Sequence, residues 1–267
     1  MQIDVAQVLK VKAPGKHIPR WVVNWLKRII HQDEMNAFLA THEGLTDFDF
    51  IDATIHECLG CDATIEGTEN LPKTKEPLIF VSNHPLGGLD GMIIALMLHE
   101  QGRHPKVIVN DLLLNMQPIA GLFVPVNKVG KQSRAYAEIQ QRMWEEGCDV
   151  LTFPAGACSR KVNGQIQDLE WKKSFIRHAI QYKRNIVPIY FEGTNSKRFY
   201  AIAQWRKRLG IRLNLEMITL VDEMFRARGK HFTVHIGQMI PYTMFDQSRD
   251  MNEWAEWVRA RVYAHNK

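Results

Sequence analysis

A histidine and an aspartate six positions apart are the residues of this sequence with the clearest chemical use. His84 follows the apolar run 79–81, which predicts a buried strand, and Asp90 opens an apolar pattern that predicts a helix. Gly87 and Gly88 lie between them and allow the sharp turn that would bring the side chains together. A carboxylate can hold an imidazole in one tautomer, and the imidazole can then take a proton from a hydroxyl. We therefore predict that His84 and Asp90 are catalytic.

The surroundings of His84 offer no serine or cysteine in a position that suggests a nucleophile. The hydroxyl that loses its proton would then belong to a substrate, which predicts direct group transfer without a covalent enzyme intermediate. The alternative is a loop histidine that only caps or packs. The context of strand, glycine turn and helix favours catalysis.

Composition limits the possible partners of the chain. It has 267 residues, of which 45% are hydrophobic and 24% charged, as expected of one folded domain. The net charge of +5 and the pI near 9.0 favour an anionic partner: a phospholipid surface, a phosphate or an acidic carrier protein. Nucleic acid is not expected, since no nucleic-acid-binding motif is recognisable. Cys58 and Cys61 lack a second close pair, so we expect no metal and no other cofactor.

The order of the patterns predicts an α/β protein. Strands and helices alternate over residues 77–240, which predicts a single domain with a mixed, mostly parallel sheet flanked by helices. Residues 168–182 and 250–264 are predicted to be helical. Residues 186–191 predict a strand in which Pro188 indicates a bulge or an edge position. Residues 1–18 are weakly patterned and predicted to be partly irregular.

The N-terminal 65 residues are predicted to form a separate helical segment. Two tryptophans, Trp21 and Trp25, share one apolar face with aliphatic residues, and basic residues lie beside that face. Either an interfacial membrane helix or an amphipathic helix packed on the domain explains this pattern. No signal peptide and no run of about eighteen apolar residues is present, so we expect a cytoplasmic protein, peripheral on the inner face of the membrane.

The pair His84 and Asp90, with Asn83 before it, resembles the first block of the glycerolipid acyltransferases, the family of the lysophosphatidic acid acyltransferases. The lead-in over residues 66–72 is similar to that family as well. The family usually places four residues between the histidine and the aspartate, whereas this chain has five. The wider turn resembles the hemolysin-like branch, whose relatives attach acyl chains to ornithine and glycine lipids. The resemblance implies an acyltransferase domain over residues 66–267.

A segment over residues 121–127 resembles the second block of that family, whose final arginine contacts a substrate phosphate. Here the corresponding position is Asn127, with Lys128 behind it, so the resemblance implies a weaker phosphate site. A buried strand alone explains this segment equally well. Residues 186–191 are similar to the fourth block.

Residues 153–161 resemble the third block, in which Ala155 stands where the family has a glutamate that binds the acceptor. The missing glutamate disfavours the standard contacts to a glycerol-phosphate acceptor. Backbone amides near Gly87 and Gly88, or of Gly156, are candidates for an oxyanion site. The further residues that the resemblance assigns to substrate binding are Asn83, Pro154, Ser159 and Arg160.

The resemblance implies an O-acyltransferase that moves a fatty acyl chain from an acyl thioester, coenzyme A or acyl carrier protein, to a hydroxyl of a single-chain lipid. The acceptor is either lysophosphatidic acid or an N-acyl amino acid lipid. A non-catalytic lipid- or carrier-binding protein on the same scaffold is the alternative from a different class. A basic cluster at residues 205–208 is a second candidate contact for lipid or carrier, or else a solvated helix face.

Overall fold

The computed structural model describes residues 2–12, 15, 17–110, 116–126, 134–211 and 215–264. The strands are β1 Asp62–Glu66, β2 Ile79–Ser82, β3 Lys106–Asn110, β4 Phe123–Val126, β5 Val150–Thr152, β6 Arg160–Val162, β7 Gln165–Gln167, β8 Ile186–Glu192 and β9 His231–Ile236. The helices are α1 Val5–Lys12, α2 Arg20–Ile29, α3 Gln32–Thr41, α4 Asp47–Ala53, α5 Leu89–Glu100, α6 Arg134–Glu145, α7 Ser174–Gln181, α8 Lys197–Arg208, α9 Leu215–Ile218, α10 Leu220–Arg226 and α11 Met251–Tyr263.

Seven of the described strands form one sheet in the order β1-β9-β8-β2-β5-β3-β4. Neighbouring strands are parallel except for β8 and β9, which are antiparallel. The mixed, mostly parallel sheet that the sequence predicted is therefore confirmed. β2 lies near the middle, and its carboxyl end carries His84. Side chains at the carboxyl ends of parallel strands meet at one edge of the sheet, where α/β proteins commonly bind ligands.

Helices cover both faces of the sheet, and alternate residues of each strand separate two apolar clusters. In β2, Phe80 packs into one cluster with residues of α4 and α5, whereas Ile79 and Val81 pack into the other with residues of α6, α7 and α11. All three residues are completely buried. The short, continuously apolar run in the sequence therefore reflects a strand that is covered on both sides.

The N-terminal helices are present as predicted, and α1 adds a helix within the region expected to be partly irregular. Ile29 of α2 is buried, but Trp21 and Trp25 are 73% and 44% exposed. Apolar residues on α2 therefore remain at the surface after the helix has packed. β1 crosses the expected boundary at residue 65 and pairs with β9, so it joins the N-terminal segment to the sheet. Across the described residues, no helix is both long and apolar enough to span a bilayer.

Two sequence predictions about elements need correction. The helix expected to start at Asp168 starts at Ser174 instead, because the carboxylate of Asp168 bonds to other loop residues. Pro188 does not lie at an edge, since β8 is an interior strand. A bulge does lie opposite Pro188: Ile186 pairs with Ile240 and Ile189 with Ile236, so residues 237–239 face the two residues 187–188. The extra residue is therefore in the segment after β9 and not in β8. The hairpin of β6 and β7, β1, α9 and α10 were not predicted.

Candidate active site

His84 and Asp90 are in contact, as the sequence predicted. The Nδ1 atom of His84 lies 3.2 Å from Oδ2 of Asp90. His84 follows the end of β2, and Asp90 is the second residue of α5. The imidazole remains 15% exposed, whereas the carboxylate is fully buried beneath it. One side of the ring is therefore fixed from within the protein while the ring stays accessible from outside.

The carboxylate of Asp90 is held by backbone amides as well as by the histidine. Oδ2 accepts from the N–H groups of Leu86 (2.9 Å) and Gly87 (3.3 Å), and Oδ1 accepts from Gly91 (2.8 Å). Burial by itself raises the pKa of Asp90, but the charge and hydrogen bond of His84, together with the Leu86 and Gly87 amides, lower that pKa below its ordinary value. Asp90 is consequently ionised at neutral pH and can stabilise a protonated imidazole.

The turn at Gly87 and Gly88 accommodates the additional residue that this chain has between His84 and Asp90. Gly87 has a φ of 92°, and a Cβ on it would lie 2.6 Å from Sγ of Cys158. Only glycine combines that conformation with that close approach. Gly88 has an ordinary backbone, and a Cβ there would meet nothing within 4 Å. The wider turn therefore preserves the contact between the histidine and the aspartate.

The backbone of His84 is held on both sides by residues of the third block and its loop. Its N–H donates to Oδ1 of Asp168 (3.2 Å), and its carbonyl accepts from the N–H of Ser159 (2.8 Å). Oδ1 of Asp168 also accepts from the Ser159 hydroxyl (2.6 Å), and Oδ2 accepts from the Trp171 indole (2.9 Å). Phe153 stacks on the imidazole at 4.1 Å between ring centroids. These contacts fix the position from which His84 can act.

Burial raises the pKa of Asp168, and the donors around it oppose that change: the Ser159 hydroxyl, the Trp171 indole and the His84 amide. From the sequence, Asp168 was predicted only to be the first residue of a helix. The one signal in the sequence was an acidic residue close to Trp171, which gives no indication that its carboxylate reaches His84.

Asn83 lies beside His84 but turns away from the exposed surface. Its side-chain amide donates to the carbonyl of Phe191 (2.9 Å) and accepts from the N–H of Phe191 (2.8 Å). The side chain is buried, and these two bonds attach the turn to β8. Asn83 therefore holds the turn in place, and it does not present its amide to a substrate in this conformation.

The third block contributes a turn next to His84. The N–H of Gly156 donates to the carbonyl of Phe153, and the N–H of Gly87 donates to Asp90. Gly88, exposed at the start of α5, is then the candidate that remains for an oxyanion site among the three glycines considered. Pro154 and Ala155 are buried. Gly156 is exposed, and a Cβ on it would lie 3.4 Å from Nζ of Lys172.

Ser159 and Arg160 point inward, not toward a head group at the surface. The buried Ser159 hydroxyl is bonded to Asp168, as described above. The guanidinium of Arg160 bonds to the carbonyl of Cys158 (2.7 Å) and to Oε1 of Glu216 (3.0 Å). Glu216 is fully buried and also lies 2.8 Å from Nε of Arg206. The guanidinium of Arg160 is therefore paired within the protein, with a carboxylate that it shares with Arg206. Asn127 and Lys128 lie outside the described residues.

Two cavities in the described part of the chain lie away from His84 and Asp90. One, of about 260 Å³, lies between β7 and α11, and the other, of about 390 Å³, lies between α6 and the end of α7. Neither is lined by His84 or Asp90. The partly exposed imidazole is reached from the protein surface and not through either cavity.

A family model described as "Acyltransferase" matches residues 7–267. The chain belongs to this acyltransferase family. The match confirms the resemblance drawn from the four blocks. The acyltransferase is 46% identical over 267 residues to a lyso-glycine lipid O-acyltransferase of Bacteroides thetaiotaomicron, with 98% of this chain and 96% of the relative covered. It is 43% identical over 265 residues to a protein of the same name from Phocaeicola vulgatus, with 98% and 94% covered. A solved 1-acyl-sn-glycerophosphate acyltransferase from Thermotoga maritima superposes with a TM-score of 0.49 at 17% identity, over 98% of this chain and 89% of that one.

Cys158, a cysteine close to the turn that carries His84 and Asp90, lies in an environment that disfavours a nucleophilic thiolate. Cys158 lies behind the glycine turn and is buried. Burial, together with the negative charge of Asp90, raises the pKa of its thiol to about 12. Because only a thiolate attacks efficiently, Cys158 is inert at neutral pH. This geometry fits a histidine that acts directly on a substrate hydroxyl.

Two further residues that sequence reasoning missed connect the turn to α8. Nδ2 of Asn195 donates to the carbonyl of Pro85 (3.0 Å), and the N–H of Asn195 donates to the Tyr200 hydroxyl (3.1 Å). Glu216 connects Arg160 to Arg206 of α8. Neither residue belongs to a recognisable block, so only the folded chain shows their place.

Proposed function

We propose that this acyltransferase transfers a fatty acyl chain from a thioester to the hydroxyl of a single-chain lipid, with His84 as the general base. The observation that carries the proposal is the 3.2 Å contact between His84 Nδ1 and the buried, ionised Asp90. With Nδ1 turned toward Asp90, Nε2 is the nitrogen that takes the hydroxyl proton. Members of this family at 46% and 43% identity are named O-acyltransferases, which supports the same reaction here.

In the proposed reaction, the lipid oxygen attacks the thioester carbonyl carbon as its proton passes to Nε2 of His84. A tetrahedral intermediate forms, and the amide of Gly88 is the proposed donor to its negative oxygen. The carbon–sulfur bond then breaks, and the thiolate takes the proton back from the imidazolium. The products are an ester and a free thiol. Asp90 stabilises the positive imidazole throughout, and no covalent enzyme intermediate is needed.

The proposed acceptor is an N-acyl amino acid lipid of the lyso-glycine lipid type, and not lysophosphatidic acid. The names of the two relatives support this choice. Two features of the site support it as well: Ala155 provides no carboxylate, and the guanidinium of Arg160 is turned inward and paired with Glu216. A dianionic phosphate would need uncompensated cations at that position. A smaller, singly charged head group places less demand on the site.

The proposed donor is an acyl thioester of coenzyme A or of acyl carrier protein. Such thioesters are made in the cytoplasm, whereas the acceptor lies in the bilayer. The acyltransferase is therefore proposed to work peripherally at the cytoplasmic face of the membrane. The exposed tryptophans of α2, Trp21 and Trp25, support this placement, because indole rings favour the interface between water and lipid.

A direct assay tests the reaction and the acceptor separately. Purified protein is incubated with a labelled acyl thioester on either carrier and with one acceptor, a lyso-glycine lipid or lysophosphatidic acid, and the labelled ester is counted. The lyso-glycine lipid should be the better acceptor. Transfer only to lysophosphatidic acid would overturn the proposal that the acceptor is a lyso-glycine lipid. Lipid binding without transfer to either acceptor would indicate a non-catalytic binding protein.

The role of His84 is tested in the same assay. His84→Ala should lower the rate by at least about 100-fold, the usual contribution of a general base. His17→Ala removes an exposed histidine elsewhere and should leave the rate unchanged. A folded His84→Ala protein with a nearly native rate would rule out the proposed mechanism.

A further inference from the structure

The carboxyl end of α8 presents large apolar side chains to solvent. Trp205, Leu209 and Ile211 are 62%, 66% and 37% exposed. Trp205 and Leu209 are four residues apart and therefore lie on the same side of the chain. Arg208, three residues from Trp205, lies on that side as well, and Lys207 is exposed on another face of the same last turn. We call these five residues the α8 patch. Few proteins expose several large apolar residues side by side without a partner.

All charged residues of α8 are basic. α8 carries five basic residues and no aspartate or glutamate along Lys197–Arg208. Of these, Arg206 is bonded to the buried Glu216, and Arg198 is bonded to Asp222. Lys207 and Arg208 have no ion pair within the described residues. The charge they present is therefore directed outward, toward an anionic partner.

The α8 patch is fixed in position relative to the catalytic turn. At its beginning, α8 is attached to the turn through Asn195, which bonds to both Pro85 and Tyr200. At its end, Arg206 shares the buried carboxylate of Glu216 with Arg160. A fully buried carboxylate between two guanidinium groups is costly to separate. A partner that binds the α8 patch therefore also sets the orientation of His84 relative to that partner.

We propose that the α8 patch docks on an anionic membrane surface and holds the catalytic turn against the bilayer. A tryptophan beside aliphatic side chains and lysine or arginine is the combination that a lipid interface accommodates, with the apolar groups inserted and the cations at the headgroups. An acidic carrier protein would complement the cations without requiring three exposed apolar side chains. The inference rests on the proposed function, because the acceptor must be a membrane lipid.

The α8 patch would be the second of two membrane contacts, the first being α2 with its exposed tryptophans. His31, which follows α2, and Arg198, at the start of α8, both bond to Asp222 (3.1 and 3.2 Å). α2 with its exposed tryptophans and α8 are thus connected through one carboxylate. Two points of contact restrict rotation of a protein on a surface, whereas a single helix does not. The α8 patch accordingly determines how the active site faces the lipid.

Vesicle flotation tests the surface independently of catalysis. The full chain is mixed with vesicles of phosphatidylcholine alone or of phosphatidylcholine with phosphatidylglycerol. Replacing Lys207→Gln together with Arg208→Gln should weaken binding to the anionic vesicles by about 30-fold and leave neutral vesicles nearly unaffected. Replacing Trp205→Ala together with Leu209→Ala should weaken binding to both kinds by about tenfold or more.

A matched control carries the same kinds of change on α6. Ile139 is 43% exposed and Arg142 is exposed, so Ile139→Ala with Arg142→Gln alters charge and hydropathy similarly at another surface. This variant should bind vesicles as the native chain does. Thermal unfolding of every variant checks that the fold is intact.

The outcomes separate this proposal from the proposed function. Weaker flotation together with normal transfer to a detergent-dispersed acceptor supports the α8 patch as a membrane contact. Native flotation by folded patch variants overturns it, whatever the rate of transfer. Native flotation with selective loss of transfer from acyl carrier protein would also overturn it and would assign the patch to the carrier. If the patch variants bind vesicles more weakly, as expected, but the native chain transfers an acyl chain to no acceptor, only the proposed function is refuted.

Discussion

Replacing Asp90 by asparagine is the sharpest test of the His–Asp pair, because the change is small in volume and large in charge. Oδ2 of Asp90 faces three donors, from His84, Leu86 and Gly87, and Oδ1 faces one, from Gly91. An asparagine keeps its single oxygen toward the three donors and turns its NH₂ group toward the N–H of Gly91. The tautomer and the orientation of His84 are then preserved.

The charge, however, is lost. Two unit charges 3.2 Å apart attract each other by about 5 kcal/mol at an effective dielectric constant of about 20. In the proposed mechanism, that energy is gained as the imidazole becomes positive on taking the hydroxyl proton, which occurs on the way to the transition state. At about 1.4 kcal/mol for each factor of ten, and with some screening of the partly exposed ring by water, Asp90→Asn should lower kcat by about 1000-fold.

The fold should survive this change. One partly buried amide, that of Gly91, loses its acceptor, at a cost of at most about 1–3 kcal/mol. Transfer of a labelled acyl chain and thermal unfolding are measured on the same preparation. Glu100→Gln removes a charge from the exposed end of the same helix and should change neither quantity. A folded Asp90→Asn enzyme within about tenfold of the native rate would refute the electrostatic role of the pair.

Four other outcomes are expected. Because the pKa of Asp90 is lowered on folding, its contribution to stability is present above the unfolded value of 3.8 and is lost as pH falls through the lower folded value; urea unfolding should show the advantage of the native chain over Asp90→Asn shrinking in that window. Gly87→Ala should cost about 2–4 kcal/mol of unfolding free energy and reduce transfer, whereas Gly88→Ala should cost less than about 1 kcal/mol; equal thermal midpoints would contradict the close packing. Cys158→Ala should leave kcat within about twofold, since the thiol pKa of about 12 excludes a nucleophilic role, and a large loss would reopen it. Asp168→Asn should lower kcat more than it changes KM, because it loosens the backbone of the general base; an unchanged kcat in a folded variant would remove that positioning role.

Much of the fold was predictable, because its signals are local. Apolar runs and helical periodicity predicted β2, β8 and α11 closely, since the buried side chains of each follow the spacing of a strand or of a helix. β1 was missed, as it alternates between exposed and half-buried residues at a sheet edge and has no apolar run. α9 and α10 are short helices whose packing depends on distant residues. Their existence is a tertiary effect that a local pattern does not encode.

The site residues also divide into those that the sequence predicts and those whose role depends on the fold. Ser159 and Arg160 have residue types that suit an anionic head group, yet the fold turns both inward. Their partners, Asp168 and Glu216, lie outside the blocks that the sequence reveals, and only folding brings these side chains together. A basic residue in a motif therefore predicts a cation but does not predict whether a carboxylate compensates it.

The sequence by itself determined the candidate residues of the proposed reaction: a histidine and an acid on either side of a glycine turn, between a strand and a helix. Those features depend on residue type and short-range spacing, which the chain fixes locally. Only the tertiary structure decided that the wider turn still brings Nδ1 of His84 to Asp90, and that Asp168 holds the histidine backbone. Both depend on distances between residues far apart in the chain, or across a turn whose shape is set by what packs behind it.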